Sequence, residues 1–324
     1  MMVGPDLSAI DAAAAQVRDH IIRTPVLPLT HALWSDVLPP SAGVTLKLEL
    51  FQQTGSFKAR GAYLGIAALN AAQRAAGVVA ASGGNHAMAV AWAAKASGVA
   101  ALITMPRAVD PARIAGCKAL GATVMLYDTM ADAFAAMNAA AEEGRVMIHP
   151  FEGAYMTLGA ATLGAEYLAQ TPDIDVFVVP VGGGGLIGGM ACAIKQLAPH
   201  AKVIGVEPFG ADSMSRSFAA DRPVRLDRVD TIADSLGAPM AMPHSFAVAK
   251  AHVDRIVKIA DDDMRQAMGL YQDKLRITAE PACAASLAAV LGPLRDELDG
   301  QQVGIIACGS NIGLARYHEI MRQQ

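Results

Sequence analysis

The chain has 324 residues, 53% hydrophobic and 17% charged, enough for one large or two ordinary domains with a sizeable core. Its net charge of -4 excludes the basic footprint of a nucleic-acid or anionic-membrane binder, and no uncharged apolar run reaches the ~18 residues of a membrane span. Four scattered cysteines (Cys117, Cys192, Cys283, Cys308) form no CxxC pair and read as buried reduced thiols; the N-terminal stretch carries Asp6 and Asp11 and no apolar segment behind a basic start, so no secretory signal is expected and a cytoplasmic setting is.

Ser8-Ala-Ile-Asp11 reads as a capping box that opens a helix to about residue 22, closed by Arg23-Thr24-Pro25. Residues 44–50 (VTLKLEL) alternate as a half-buried strand does, QTGS turns the chain, and 57–76 read as a helix. The pattern then repeats: strand 78–81, loop SGGN and helix 86–96; strand 100–105 and a helix started by Pro111; strand 123–127 and helix 132–143. A second set follows, with helix 158–169, the fully apolar strand 176–181 (VFVVPV), a glycine run opening a helix to 197, and strand 203–206. Helices near 262–275 and 281–291, strand 303–307 and a last helix complete the chain. Apolar strands alternating with helices predict an α/β fold whose parallel sheets are covered on both faces.

Four segments point to chemistry. Gly182-Gly183-Gly184-Gly185 follows an apolar strand and opens a helix, so unblocked backbone N–H groups and the helix N-terminus together make a phosphate site. Gly183, Gly185 and Gly188 also satisfy G-x-G-x-x-G, with Glu207 about 20 residues on, which leaves a dinucleotide site and an NAD-dependent oxidoreductase open. Ser56-Phe57-Lys58 begins a helix after a strand, where a lysine packed among Phe57, Ala59, Ala62 and Tyr63 loses solvent, falls in pKa and becomes a competent Schiff-base amine. Ser82-Gly83-Gly84-Asn85-His86 offers a second helix start, suited to a carboxylate. In Ala307-Cys308-Gly309-Ser310-Asn311, Cys308 or Ser310 could meet a buried heterocycle.

Together, LKLELFQQTGSFKARGA, SGGNHA, VVPVGGGGLIGG, VIGVEP, EPACAA and CGSN resemble, in order and over nearly the whole chain, the fold-type-II pyridoxal-phosphate (PLP) enzymes, in particular the threonine dehydratase and serine racemase family. The resemblance implies a tryptophan synthase β-like fold of two domains: residues 1–76 with 146–324 as a discontinuous PLP-binding domain, and 77–145 as a small inserted one. It implies that Lys58 carries PLP as a Schiff base, Phe57 lies against the ring, Gly182, Gly183, Gly184 and Gly185 hold the phosphate and Asn85 bonds the ring hydroxyl. Cys308, with Ser310 as second choice, falls at the pyridine nitrogen. Ser82, Gly83, Asn85 and His86, with Thr54 and Ser56 nearby, would receive the substrate. The activity implied is dehydration and deamination of a small amino acid, L-threonine, L-serine or a related 3-hydroxy amino acid, to a 2-oxo acid and ammonia, with the cofactor phosphate as a proton donor to the leaving hydroxyl. A homodimer is the family's usual state, and a divalent cation such as Mg2+ would sit at Glu207 and the Ala211 carbonyl.

The chain departs from the family pattern in several places. Gly83 stands where a racemase is expected to have a serine acid, which predicts elimination over racemisation. His149-Pro150 is followed by FEGAYMTLGAAT where a Gly-Gln-Gly-Thr stretch is common, so Tyr155 and Met156 are expected to change pocket size. Ser213 occupies the position of a second metal carboxylate. No segment matches the effector-binding domain of biosynthetic threonine dehydratases, so feedback inhibition by isoleucine is not expected.

Overall fold

The computed structural model describes residues 3–29 and 33–322. Its strands are β1 (Val26–Pro28), β2 (Gly43–Lys47), β3 (Val78–Ala81), β4 (Ala101–Pro106), β5 (Thr123–Tyr127), β6 (Val146–Met147), β7 (Val176–Pro180), β8 (Lys202–Pro208), β9 (Arg255–Ile259) and β10 (Gln302–Ile306). The helices are α1 (Leu7–Val17), α2 (Lys58–Ala67), α3 (Ala71–Ala76), α4 (Asn85–Ser97), α5 (Pro111–Ala119), α6 (Met130–Glu142) and α7 (Ala154–Gln170). They continue with α8 (Gly185–Leu197), α9 (Ser213–Ala220), α10 (Pro243–His252), α11 (Asp261–Leu270), α12 (Pro281–Leu291) and α13 (Leu314–Met321).

Six strands form one sheet in the order β1-β2-β10-β7-β8-β9, parallel throughout except for the β1 edge; four form another, β5-β4-β3-β6, entirely parallel. The α/β reading is therefore borne out. The central strands are apolar because both faces are covered: every residue of β3 and β7 is buried. The core of the four-stranded sheet recruits Ala13 and Val17 of α1 and Ala62, Leu64 and Ile66 of α2, which precede that sheet in the chain. No helix of the described residues is long and apolar enough to cross a membrane.

Local chemistry corrects several predicted boundaries. Asp6, not Ser8, caps α1 by accepting the Ala9 N–H at 2.8 Å, and the helix stops at Val17. The predicted strand 44–50 ends at Lys47, where Glu49–Phe51 turns as a 3-10 helix. The predicted helix 57–76 is two: α3 restarts at Asn70, whose side chain and that of Gln73 bond each other's backbone N–H in a capping box. α11 ends at Leu270, beyond which Tyr271–Leu275 forms a π turn.

Glycines set the layer that carries Lys58. A Cβ on Gly159 of α7 would lie 2.3 Å from the Gly61 nitrogen of α2, and one on Gly189 of α8 would lie 2.2 Å from the Thr157 carbonyl oxygen of α7. Only glycine allows α2, α7 and α8 to approach this closely. Beneath them lies a buried charge network: Arg60 bonds both oxygens of Glu49 at 2.9 and 2.8 Å, and Glu166 bridges Arg60 (3.1 Å) and Lys47 (2.5 Å).

Candidate active site

Each predicted motif lies past the carboxyl end of a parallel strand, where open α/β sheets bind ligands. Lys58 follows β2, Ser82 follows β3, Gly182 follows β7 and Cys308 follows β10. Backbone pairing brings the first and last together. Phe57 N–H donates to the Cys308 carbonyl at 3.1 Å, Ser310 N–H to the Gly55 carbonyl at 3.0 Å, and Ser56 forms a bridge with Gly309.

Lys58 is the first residue of α2 and is partly buried. Its ammonium lies 5.0 Å from the Phe57 ring centroid and donates to the Pro150 carbonyl. Burial draws the amine down to about 8, and only the Cys308 side opposes the shift. The neighbouring Cys308 thiol is buried, donates weakly to the Ala282 carbonyl at 3.6 Å, and is pushed well above its ordinary pKa by burial. Ser310 points elsewhere, its hydroxyl donating to the Thr278 carbonyl. The hydroxyls of Thr54 and Ser56 are buried without partners, and Thr54 holds left-handed backbone at φ 58°.

The tetraglycine turn admits no side chains. An added Cβ would lie 3.0 Å from the Ser235 carbonyl at Gly182, 2.2 Å from the Phe151 ring at Gly183, 2.3 Å from Met214 at Gly184 and 2.7 Å from the Phe151 carbonyl at Gly185. Gly184 also has φ 89° and opens α8, leaving the first N–H groups of that helix free for an anion. Pro150 and Phe151 thus join the lysine to the glycines: one takes the ammonium and the other packs on the turn.

At the second helix start, Ser82 Oγ accepts the Gly84 N–H at 3.1 Å, and the Gly83 carbonyl accepts Arg113 Nη1 at 3.1 Å. The space where a Gly83 Cβ would stand is filled by Val109, 2.4 Å away. Asn85 Nδ2 donates to Glu280 Oε1 at 2.6 Å and to Ser235 at 3.3 Å, while Asn85 Oδ1 accepts Asn311 Nδ2 at 2.7 Å. His86 is buried, and its Nε2–H donates to the Ile148 carbonyl at 2.8 Å, which leaves Nδ1 as an unpartnered acceptor. Burial, reinforced by Lys58, pulls this histidine down to about 3, so the imidazole is neutral. With its ring proton committed to the Ile148 carbonyl, the donor that His86 has left for an anion is its backbone N–H.

Sequence reasoning passed over Glu280, Asn311, Arg113 and Phe151. Glu280 is buried, its carboxyl raised by burial and its Oε2 unpartnered. Asn311 ties the strands' ends together, donating to the Thr54 carbonyl at 2.6 Å and receiving Arg113 Nε at 2.8 Å on its own carbonyl. The EPACAA and CGSN segments signalled two of these, but only the fold shows that both meet Asn85. Of the two residues expected to change pocket size, Tyr155 is 47% exposed and Met156 is buried against Gly61 of α2.

Glu207 is held differently from either role expected of it. Its oxygens accept the Met214 and Ser215 N–H groups, both at 2.8 Å, so the carboxylate caps α9 from a fully buried position. That overturns the dinucleotide alternative, because a fully buried carboxyl turned inward onto α9 cannot reach a ribose. At the cation position, Ala211 is buried and Asp212 pairs with Arg216 (2.8 Å) and Lys258 (3.3 Å). Among the described residues no three His, Cys, Asp or Glu side chains gather as metal ligands.

Comparison with known proteins places the chain in a family. Residues 17–309 match the family described as pyridoxal-phosphate dependent enzyme. The chain is 45% identical to phenylserine dehydratase of Ralstonia pickettii, over 97% of this chain and 95% of that protein. It is 38% identical to L-threonine ammonia-lyase of Thermotoga maritima, over 92% and 75%. Maize serine racemase superposes with a TM-score of 0.89 at 34% identity, covering 99% of each chain. The chain therefore belongs to the fold-type-II PLP-dependent enzymes, in the threonine dehydratase and serine racemase family.

Proposed function

We propose that this PLP enzyme removes the β-hydroxyl and then the amino group of an L-3-hydroxy amino acid, leaving a 2-oxo acid and ammonia. The observation that carries the reading is the desolvated Lys58 amine, joined to the Gly182–Gly185 turn by the Pro150-Phe151 pair. These residues fit the cofactor. The turn excludes every Cβ and exposes helix N–H groups to a phosphate, Lys58 offers an amine to the aldehyde, and the protonated Cys308 thiol gives the heterocycle nitrogen a hydrogen bond without negative charge. When bound, PLP delocalises the electron pair left as the Cα–H bond breaks. Asn85 meets the ring hydroxyl by giving up its longer bond to Ser235. The unpartnered hydroxyls of Thr54 and Ser56, with the N–H groups opening α4, receive the substrate carboxylate. Lys58, with its pKa near 8, holds enough free amine at neutral pH to take the α-proton.

Elimination is favoured over racemisation because Gly83 carries no acid and Val109 fills the space beside it. The β-substituent is uncharged in this reading. Phe151 lies edge-on to His149 at 4.7 Å, and Phe134 follows at 6.2 Å, so the Lys58 side of the pocket is bordered by aromatic rings. That lining, with the 45% identical phenylserine dehydratase, supports phenylserine and threonine ahead of 3-hydroxyaspartate. The four-stranded sheet, which takes in β6 beyond residue 145 and core residues of α1 and α2 as well as 77–145, is the part that closes on the cofactor. Incubation of the PLP-loaded protein with L-threonine, L-serine, L-threo-phenylserine and L-threo-3-hydroxyaspartate tests the reading. Ammonia and 2-oxo acid from the uncharged substrates are expected. No 2-oxo acid from any of them, or D-serine forming faster than pyruvate, overturns it.

A further inference from the structure

We propose that His149 is a further catalytic residue, whose neutral imidazole holds the departing β-hydroxyl through Nε2–H. The proposal rests on the dehydratase reading above. Nδ1 of His149 accepts the backbone N–H of Glu152 at 3.0 Å and, more weakly, that of Phe151 at 3.4 Å. A backbone N–H only donates, so Nδ1 keeps its lone pair and the single ring proton resides on Nε2. Phe151 packs edge-on against the ring (4.7 Å, 87°) and Phe134 tilts over it at 6.2 Å, so the imidazole is held in one orientation.

The position of the ring is set by the same loop that receives Lys58. The carbonyl of the next residue, Pro150, accepts the Lys58 ammonium, and the residue after that packs on the glycine turn. Burial first, and the Lys58 charge as well, draw His149 down to about 4, while Glu152 opposes them; the ring stays neutral through the physiological range. His86 is the useful contrast. It too is a neutral Nε2–H tautomer beside Lys58, but its proton is committed to the Ile148 carbonyl. Among the described residues the Nε2–H of His149 has no acceptor, although the ring is half-buried.

In the elimination, the Lys58 amine takes the α-proton and the Cα electron pair forms the new carbon–carbon double bond. The Cβ–O bond breaks with its pair going to oxygen. The Lys58 ammonium so formed gives that proton to the leaving oxygen, which departs as water, so Lys58 and His149 both end neutral. The contribution of His149 is a fixed donor where negative charge develops on oxygen.

The test uses the holoenzyme, two substitutions and two leaving groups. His149→Asn keeps an acceptor where Nδ1 stood and removes the donor, whereas His149→Gln restores an amide donor near Nε2. Chloride leaves without a hydrogen bond from the protein, so 3-chloro-L-alanine serves as the control for the best 3-hydroxy substrate. His149→Asn is expected to lower kcat on the hydroxy substrate by about 10²–10³-fold while changing chloroalanine turnover by less than about fivefold, and His149→Gln to recover most of the loss. Equal losses on both substrates overturn the proposal and leave the dehydratase reading intact. A wild-type enzyme that eliminates chloride but releases no 2-oxo acid from any 3-hydroxy amino acid overturns both. Nitrogen-15 NMR of the apoprotein reads the tautomer without turnover: protonation at Nε2 is expected, and a ring protonated at Nδ1 refutes the assignment.

Discussion

Lys47 and Lys58 are both withdrawn from water, yet the fold surrounds them in opposite ways. The Lys47 ammonium donates to the Thr24 carbonyl at 2.8 Å, to Glu166 at 2.5 Å and to Gln170 at 2.7 Å. Burial lowers its pKa, but Glu166 pulls against that shift through charge and hydrogen bond. Burial likewise raises the nearby Glu49 carboxyl, and Arg60 outweighs it and holds the group below the ordinary carboxylate range. Lys58 has one neutral carbonyl and an aromatic face. A buried ammonium with so little compensation favours its neutral form. One lysine is bound into the frame that sets α2 against α7; the other, at the start of α2, is left reactive.

Three substitutions or titrations sharpen this contrast. Lys58→Ala is expected to reduce 2-oxo acid formation by about 10³-fold or more, because the proposed function makes this amine both the covalent anchor and the base. The visible absorption of bound PLP should shift or vanish with it. Thermal unfolding of the Lys58→Ala apoprotein should not fall, since a poorly compensated amine is removed. A large drop would erase the distinction between the two lysines.

Glu49→Gln should do the reverse. It leaves Arg60 short of its bidentate partner and costs about 3–5 kcal/mol of folding stability, as breaking a buried ion pair does. Denaturant titration of the apoprotein measures it. A loss near zero would show that Glu166 alone satisfies the guanidinium.

The smallest effect is in the pH dependence of the apoprotein. The folded pKa of Lys58 is about 8 against an ordinary 10.5, so between these values the unfolded chain binds more protons than the folded one. Stability from this group therefore rises as pH increases across that window, and Lys58→Ala should remove that slope. Covalent capture of PLP should likewise accelerate as pH passes about 8 and then level off. A midpoint near 10.5 would show an amine in contact with water.

Much of the candidate site was legible because each motif carries its own physical reason. Four glycines after VFVVP make sense only where no Cβ fits, and each of the four meets an obstacle within 3.0 Å in the fold. Pro111 starts α5 and Pro281 starts α12, as a residue lacking an N–H should. Other features were not legible. Asn70 and Gln73 close a capping box within an apparently continuous helical run, and Asp6 competes with Ser8 for the same cap. Glu207 lies at the spacing of a ribose acceptor, yet it is turned inward to cap α9. Spacing does not encode which way a carboxylate faces.

The amino-acid sequence by itself determined the alternation of apolar strands and helices, the side-chain-free glycine turn and the lysine that opens α2, because periodicity, missing side chains and local turn chemistry act over a few residues. Only the tertiary structure decided that Lys58 meets the Pro150 carbonyl, that Val109 fills the space beside Gly83, that Glu280 and Asn311 share Asn85, and that His149 keeps a free Nε2–H while His86 does not. These contacts join residues far apart in the chain, and burial sets their protonation only once both sheets have brought them together.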